Sequence, residues 1–415
     1  MGRGPQLAAL PAPVQSHPLT ASPVGPGLYV HVPFCRVRCP YCDFATAPYT
    51  ARSATRYLQA LLKEAERARG LLGSARFETL FFGGGTPSRL EPSDFLALAH
   101  GLSDRLDLSR VVEATLEANP EDVDEAHLEA WRQAGVTRLS IGVQALDDVE
   151  LRRLGRPHGR SGALVAMARA AGCFSDWSCD LIFGFPGHGP ATWERTLEEA
   201  IGLGPPHVCC YHFTAEAGTP MGDAVRAGRV KAADDDLAGA LFETASRRLG
   251  EAGYRHYEIS NYARPGRESK HNRLYWSGRP YWGLGPGAVG TWGGVRRTNV
   301  RDHAVYAARI ESGLSAVALE EDVSGSALVE RVMMGLRLDE GVSWTDLASY
   351  GVEAQAWRRA IEKAAAAGWM VADERGFRLG EERRSVTDEV AAHLWSEVES
   401  EPAVGRPALP TRMRG

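Results

Sequence analysis

The sequence predicts an α/β protein: a partial (β/α)6 barrel followed by a small α+β, winged-helix-like C-terminal module. Two observations predict it. From residue 28 to 213, six short apolar runs alternate with amphipathic stretches, the pattern of a parallel sheet with right-handed crossovers. From about residue 325 the chain turns helical, broken only by WMVADERGFRLG, which reads as two or three helices with a hairpin.

In chain order the expected strands are LYVHV (28–32), TLFFG (79–83), EATLEA (113–118), RLSIGV (138–143), SCDLIFG (178–184) and HVCCYHF (207–213). Amphipathic stretches such as ARSATRYLQALLKEAERARG, DEAHLEAWRQAG and TWERTLEEAIGLG separate them. Several stop at glycine, a common helix end. Barrel chemistry sits at the C-terminal ends of strands. Here the first strand runs into three cysteines and the second into Gly83-Gly84-Gly85-Thr86-Pro87. The third carries Glu117 and Asn119, the fourth Gln144 and the fifth Asp180. Five polar or glycine features in register predict a site on one rim.

Beyond the barrel, YEISNYA (257–263) reads as a strand, and 264–299 as a loop dense in Gly, Trp, Tyr and His. The expected divisions are a Pro/Ala-rich disordered tail (1–26), the barrel (27–255), a connecting segment (256–324), the C-terminal module (325–400) and a disordered tail (401–415). A net charge of −5 gives no basic footprint for nucleic acid, and the C-terminal helices offer no basic recognition helix. No apolar run reaches the roughly 18 residues of a membrane span. Seven cysteines, an odd number without a secretory signal, point to free thiols in a reducing cytoplasm. Cys173, Cys179, Cys209 and Cys210 read as buried structural thiols.

CRVRCPYC places Cys35, Cys39 and Cys42 at C-x3-C-x2-C, and position 44 is Phe. Closed iron–sulfur and zinc sites use four ligands. Three thiolates in eight residues can wrap one cubic cluster and leave a metal position open, with Arg36 and Arg38 offsetting the negative charge. Spacing alone also allows zinc or another cluster.

With YVHVPFCRVRCPYCDF and FFGGGTPS together, the chain resembles the radical S-adenosylmethionine (SAM) superfamily. With LEANP, LSIGVQ, LGRPH and CDLIFGFPG, it resembles the oxygen-independent coproporphyrinogen III oxidase-like group. That resemblance implies a [4Fe–4S] cluster on Cys35, Cys39 and Cys42. It implies a SAM pocket of Tyr29, Tyr41, Asp43, Gly84, Gly85, Thr86, Glu117, Gln144, Arg156 and Asp180. The residue types suit SAM: carboxylates for ribose hydroxyls, an arginine fork for the methionyl carboxylate, and an aromatic for adenine.

Two features depart from the decarboxylating oxidase. Its motif carries a fourth cysteine where this chain has Phe44, and its ordered N-terminal extension has no counterpart ahead of Tyr29. The string His271-Asn272-Arg273-Leu274-Tyr275-Trp276 is similar to the H-N-x-x-Y-W mark of the HemW-type haem chaperones. That branch implies haem held by His271, Asn272, Tyr275 and Trp276, with His as iron ligand and aromatics against the porphyrin. It implies transfer to an acceptor protein and leaves open a homodimer and peripheral membrane contact. The alternative is radical SAM oxidative decarboxylation of coproporphyrinogen III, or another radical SAM modification of a tetrapyrrole. Tyr281 to Ala288, YWGLGPGA, reads as a glycine-rich wall of the same site.

Overall fold

In the computed structural model, which describes residues 25–400, the six expected strand–helix units form one open, parallel barrel. Strand β1 is Gly27–Val32 and leads to α1 (Ala51–Leu72). Then come β2 (Thr79–Gly84), α2 (Pro92–Ser103), β3 (Glu113–Ala118), α3 (Glu125–Gln133) and β4 (Arg138–Gln144). Helices α4 (Asp148–Arg153) and α5 (Gly159–Cys173) precede β5 (Trp177–Phe183), α6 (Pro190–Gly202) and β6 (His207–His212). Each strand pairs in parallel with the next in sequence. Helices therefore wrap the outside, and all strand C-termini share one rim. The two expected tails fall outside the described residues, apart from positions 25 and 26.

Local chemistry sets the helix ends. The α1 N-terminus is a reciprocal cap: Ser53 N–H donates to Thr50 Oγ1 and Thr50 N–H to Ser53 Oγ, which satisfies two otherwise orphaned donors. Its inner face buries Ala54, Tyr57, Leu58, Leu61, Ala65 and Leu72. Tyr57 donates to His31 O across 2.8 Å, tying α1 to β1.

The segment after residue 251 corrects the sequence reading. Helices α7 (Pro220–Arg226) and α8 (Asp235–Glu251) are followed by two strands where one was expected: β7 (Arg255–Glu258) and β8 (Asn261–Ala263), an antiparallel pair. The expected loop 264–299 contains α9 (Lys270–Trp276), β9 (Tyr281–Leu284), β10 (Val289–Trp292) and β11 (Val295–Asn299). After α10 (His303–Glu311), β12 (Val317–Asp322) completes a sheet ordered β12-β11-β10-β9-β1-β2-β3-β4-β5-β6-β8-β7. Strand β9 joins the free edge of β1 in parallel, Tyr29 opposite Gly283. The glycines that made this stretch look irregular are what let it pair. A Cβ on Gly283 would stand 2.3 Å from Val289 O, so only glycine permits the close β9–β10 crossing.

The C-terminal module comprises α11 (Ala327–Gly335), β13 (Val342–Ser343), α12 (Trp344–Ala348), α13 (Glu353–Ala366), β14 (Val371–Ala372), β15 (Gly376–Arg378) and α14 (Thr387–Ser400). It has its own core around Val332, Trp357, Ile361 and Leu394. Ion pairs dock it on the barrel extension: Arg273 with Glu340 at 2.5 Å, Arg296 with Glu330 at 2.6 Å, and Arg255 with Asp339. Among the thiols read as buried, Cys179, Cys209 and Cys210 are so, but Cys173 is exposed at the end of α5. No described helix is long and apolar enough to cross a membrane.

One buried carboxyl fastens the extension to the barrel. Glu64 of α1 accepts from Gly285 N (2.9 Å), Asn299 Nδ2 (2.7 Å) and Tyr306 OH (2.6 Å). Glu64→Ala leaves three buried donors without an acceptor and is expected to cost about 3 kcal/mol, read as a lower urea midpoint. Burial pushes both Glu64 and Glu258 up to about 7. A carboxyl raised in the fold favours its neutral form. Its stabilising contribution is full below the unfolded value near 4.5 and is lost as pH rises through about 7. Urea midpoints from pH 5 to 8 should therefore fall less steeply in Glu258→Gln than in the parent protein.

Candidate functional site

Strand β1 ends at Val32, and Pro33 leads into the cysteine loop. Phe34–Cys35 pairs with Ala47–Pro48, and Ala47 N–H donates to Pro33 O at 2.7 Å. These bonds close the loop at its base. Cys35, Cys39 and Cys42, all half-buried, line a single cavity of about 440 Å³. Burial pushes the Cys35 thiol up to about 11 and raises Cys42 as well. Both groups therefore rest as neutral thiols, and a bound cation would be needed to hold them as thiolates. Among the described residues, no group of three or more His, Cys, Asp or Glu side chains forms the ligand set of a single metal ion. Three separate thiolates around one cavity suit a polynuclear cluster, in which each takes its own iron.

The opposite walls fit a polar organic ligand. Gly84, Gly85 and Thr86 border the cavity at the end of β2. A Cβ on Gly85 would lie 2.5 Å from Pro33 O, so only glycine lets this turn pass against the base of the cysteine loop. Thr86 Oγ1 lies 3.4 Å from Cys35 Sγ and accepts from Asn119 Nδ2 at 3.2 Å. Arg156 reaches in from the loop between α4 and α5. It donates to Gly142 O at 2.8 Å, to Asn119 Oδ1 at 2.5 Å and to Cys39 Sγ at 3.5 Å. Its buried Nε has no hydrogen-bond partner, and Arg156 itself borders the cavity. Gln144 has φ 69°, a left-handed conformation that is uncommon for a non-glycine residue. The β4–β5 register shifts there, and such backbone strain clusters at functional sites.

Tyr41, Asp43, Glu117 and Asp180 also border this cavity, as the sequence reading expected. Tyr29 does not. Its hydroxyl lies 3.1 Å from His31 Nδ1, its ring stacks on Phe81, and it lines two neighbouring cavities. Glu117 borders all three cavities. Burial, reinforced by nearby Asp180, pushes its carboxyl up to about 8, against one hydrogen bond from Gly84 N.

The second cavity, about 540 Å³, shares Asp43, Phe44, Gly84 and Glu117 with the first. Tyr275 and Trp276 of the H-N-x-x-Y-W string line it, with Tyr281, Val289 and Met334. His271 lies behind that wall. It is fully buried, with Nδ1 2.8 Å from Thr79 Oγ1 and Nε2 2.8 Å from Tyr275 OH. Burial lowers it to about 3, so the ring is neutral. In this conformation neither nitrogen is free to take a metal. Asn272 faces a third, smaller chamber of about 210 Å³ inside the barrel.

A hydrogen-bonded chain crosses the barrel interior from the first cavity to the start of α9. Ser269 N–H donates to the Tyr257 oxygen at 3.2 Å, and Tyr257 OH lies 2.8 Å from His207 Nε2. His207 Nδ1 lies 2.9 Å from Ser178 Oγ, which donates to Asp180 Oδ1 at 2.6 Å. With Asp180 ionised, the polarity runs one way and puts the His207 proton on Nδ1. Glu113 caps α9 by accepting from Lys270 N (2.8 Å) and His271 N (2.9 Å).

Sequence reasoning missed Tyr211 and His212, which line the first cavity from the end of β6. The rim rule that singled out Asp180 would have found them, but HVCCYHF was read for its thiols. It also missed Arg296, Arg301, Glu330 and Met334 around the second cavity. These come from the connecting segment 256–324 and from the C-terminal module.

Comparison with known proteins agrees with this geometry. Residues 29–200 match the Radical SAM superfamily and residues 326–382 the HemN C-terminal domain. The chain is 38% identical over 338 residues to heme chaperone HemW of Mycobacterium tuberculosis, covering 80% of this chain and 86% of that one. It is 33% identical over 401 residues to the mitochondrial radical S-adenosyl methionine domain-containing protein 1 of Danio rerio, covering 93% and 89%. The fold is that of coproporphyrinogen III oxidase (HemN) from Escherichia coli, with TM-score 0.77, 20% identity, and coverage of 89% of this chain and 90% of that one. The superfamily implies SAM and a [4Fe–4S] cluster, and the three thiols and the polar cavity fit both.

Cys39→Ala should abolish the broad visible absorption of reconstituted protein and lower its iron and sulfide content; unchanged content would contradict the ligand set. For Glu117, a cationic ligand favours the ionised carboxyl. The ratio of SAM affinities, parent over Glu117→Gln, should therefore widen as pH rises from 7 to 9 through about 8.

Proposed function

We propose that this chain, which belongs to the HemW-type branch of the radical SAM superfamily, binds haem and passes it to an acceptor protein. One observation carries the reading: Tyr275 and Trp276 line a cavity of about 540 Å³ that shares a wall with the cysteine cavity. The volume lies in the range of small-molecule sites. Tyr281, Phe44, Val289 and Met334 give it apolar and aromatic surface, suited to a porphyrin face.

Phe44 borders both cavities and is largely exposed. It stands between the SAM side and the haem side, where the decarboxylating oxidase carries a fourth cysteine. A cluster held by Cys35, Cys39 and Cys42 would supply one-electron chemistry beside SAM. In this reading the protein's own part is to orient SAM through Arg156, Glu117 and Asp180 and to keep the haem cavity apart.

Iron ligation by His271 requires one change. Its Nε2 is bonded to Tyr275 OH, and the Tyr275 ring is part of the cavity wall. Turning Tyr275 aside exchanges a hydroxyl for iron at Nε2 while Thr79 continues to hold Nδ1. The free thiols support a reducing compartment as the place of action.

The test is an anaerobic hemin titration of reconstituted protein at the Soret band. Parent protein should form a stoichiometric complex, His271→Ala should weaken it by about tenfold or more, and Tyr275→Phe, which frees Nε2, should tighten it. Conversion of coproporphyrinogen III by the same protein with SAM and reductant would overturn the chaperone reading.

A further inference from the structure

We propose that the second cavity selects its ligand by a carboxylate, with Arg296 as the receiving group and Glu330 as the internal carboxylate that the ligand displaces. The inference rests on the haem reading, since haem carries two propionates on an otherwise apolar ring.

Arg296 and Glu330 both line the cavity but come from different bodies of the fold. Arg296 is on β11 of the barrel extension and Glu330 on α11 of the C-terminal module. Arg296 Nη2 donates to Glu330 Oε2 at 2.6 Å, and its Nε has only a long bond, 3.4 Å, to Thr291 Oγ1. The other Glu330 oxygen accepts from Ser326 Oγ at 3.0 Å. Glu330 therefore keeps a partner when Arg296 lets go.

That asymmetry makes exchange feasible. A guanidinium offers a planar fork suited to one carboxylate at a time. Removing a partly buried arginine's partner outright is costly, whereas trading one carboxylate for another keeps the guanidinium paired and leaves Glu330 on the Ser326 hydroxyl. Arg279 and Arg301 also border the cavity, with Arg301 beside Asp43 at 4.0 Å, so a second propionate has positive charge within the same wall. Met334 lies one turn beyond Glu330 on α11 and lines the same space. Displacing Glu330 thus loosens α11 where it covers the ligand, and loading the cavity weakens one of the ion pairs that dock the module.

Hemin and hemin dimethyl ester separate the contributions of ring and carboxylates. Both are titrated into the parent holoprotein, Arg296→Gln, Arg296→Lys and Glu330→Gln, with thermal unfolding confirming that each variant folds. Parent protein should bind hemin about tenfold more tightly than the ester. Arg296→Gln should shrink that ratio severalfold, the remainder being the share of the second propionate, and Arg296→Lys should restore part of it. Glu330→Gln removes the competitor and should tighten hemin several-fold while leaving the ester unchanged. Equal affinities for hemin and ester in the parent would overturn the proposal. So would weaker hemin binding in Glu330→Gln, which would make the pair a structural latch. If the parent binds neither probe, the haem reading itself fails and this inference with it.

Discussion

Strand β1 has parallel partners on both edges, and that pairing decides where the rest of the site lies. On one side Val32 stands opposite Gly84, so the cysteine loop and the Gly-Gly-Thr turn leave the sheet together. On the other side Tyr29 stands opposite Gly283, which brings the glycine-rich hairpin against the same strand. The two large cavities are neighbours because they meet at Asp43, Phe44, Gly84 and Glu117, at and beyond the ends of these strands. A one-residue slip would turn every β1 side chain to the other face. It would carry Leu28, Val30 and Val32, all fully buried, out of the core.

The barrel interior is unusually polar for a parallel sheet, whose buried strands ordinarily read as apolar runs. Strand β5 is buried throughout yet carries Ser178 and Asp180. Arg138 is 2% exposed and is held by Asp176 at 2.6 Å. Such groups are stable only when they bond one another, and here their bonds form a line from Asp180 to the N-terminus of α9. The frame that fixes the floor of the cysteine cavity also fixes the helix bearing the H-N-x-x-Y-W string. Glu117, where three cavities meet, is the point at which charge in one is felt in the others.

Much of this was legible in the sequence because parallel barrels write themselves locally. Each strand is a short apolar run, each helix an amphipathic one, and the functional residue follows directly at the strand end. Cys35, Glu117 and Asp180 were found that way, and the structure brings them to one cavity. Tyr29 was assigned to that cavity from resemblance; its side chain shares the inner face with Glu117 but reaches the two neighbouring cavities instead. The 264–299 segment was misread because its glycines, which serve close strand approach, look like turn signals. His271 shows a different limit. The string identified the helix, but only three-dimensional packing reveals that the imidazole sits behind Tyr275 with both nitrogens occupied. Nor could local pattern reveal Arg296 meeting Glu330, since that contact joins separate bodies of the fold.

The most direct test of the account is anomalous scattering at the iron edge from crystals grown anaerobically with hemin. Two iron centres are predicted within each chain. One lies among Cys35, Cys39 and Cys42, and the other in the adjoining cavity beside Tyr275 and Trp276. A single cluster peak, or a hemin iron on the outer surface away from that cavity, would contradict the claim that the barrel extension and the motif helix build a haem site next to the SAM site.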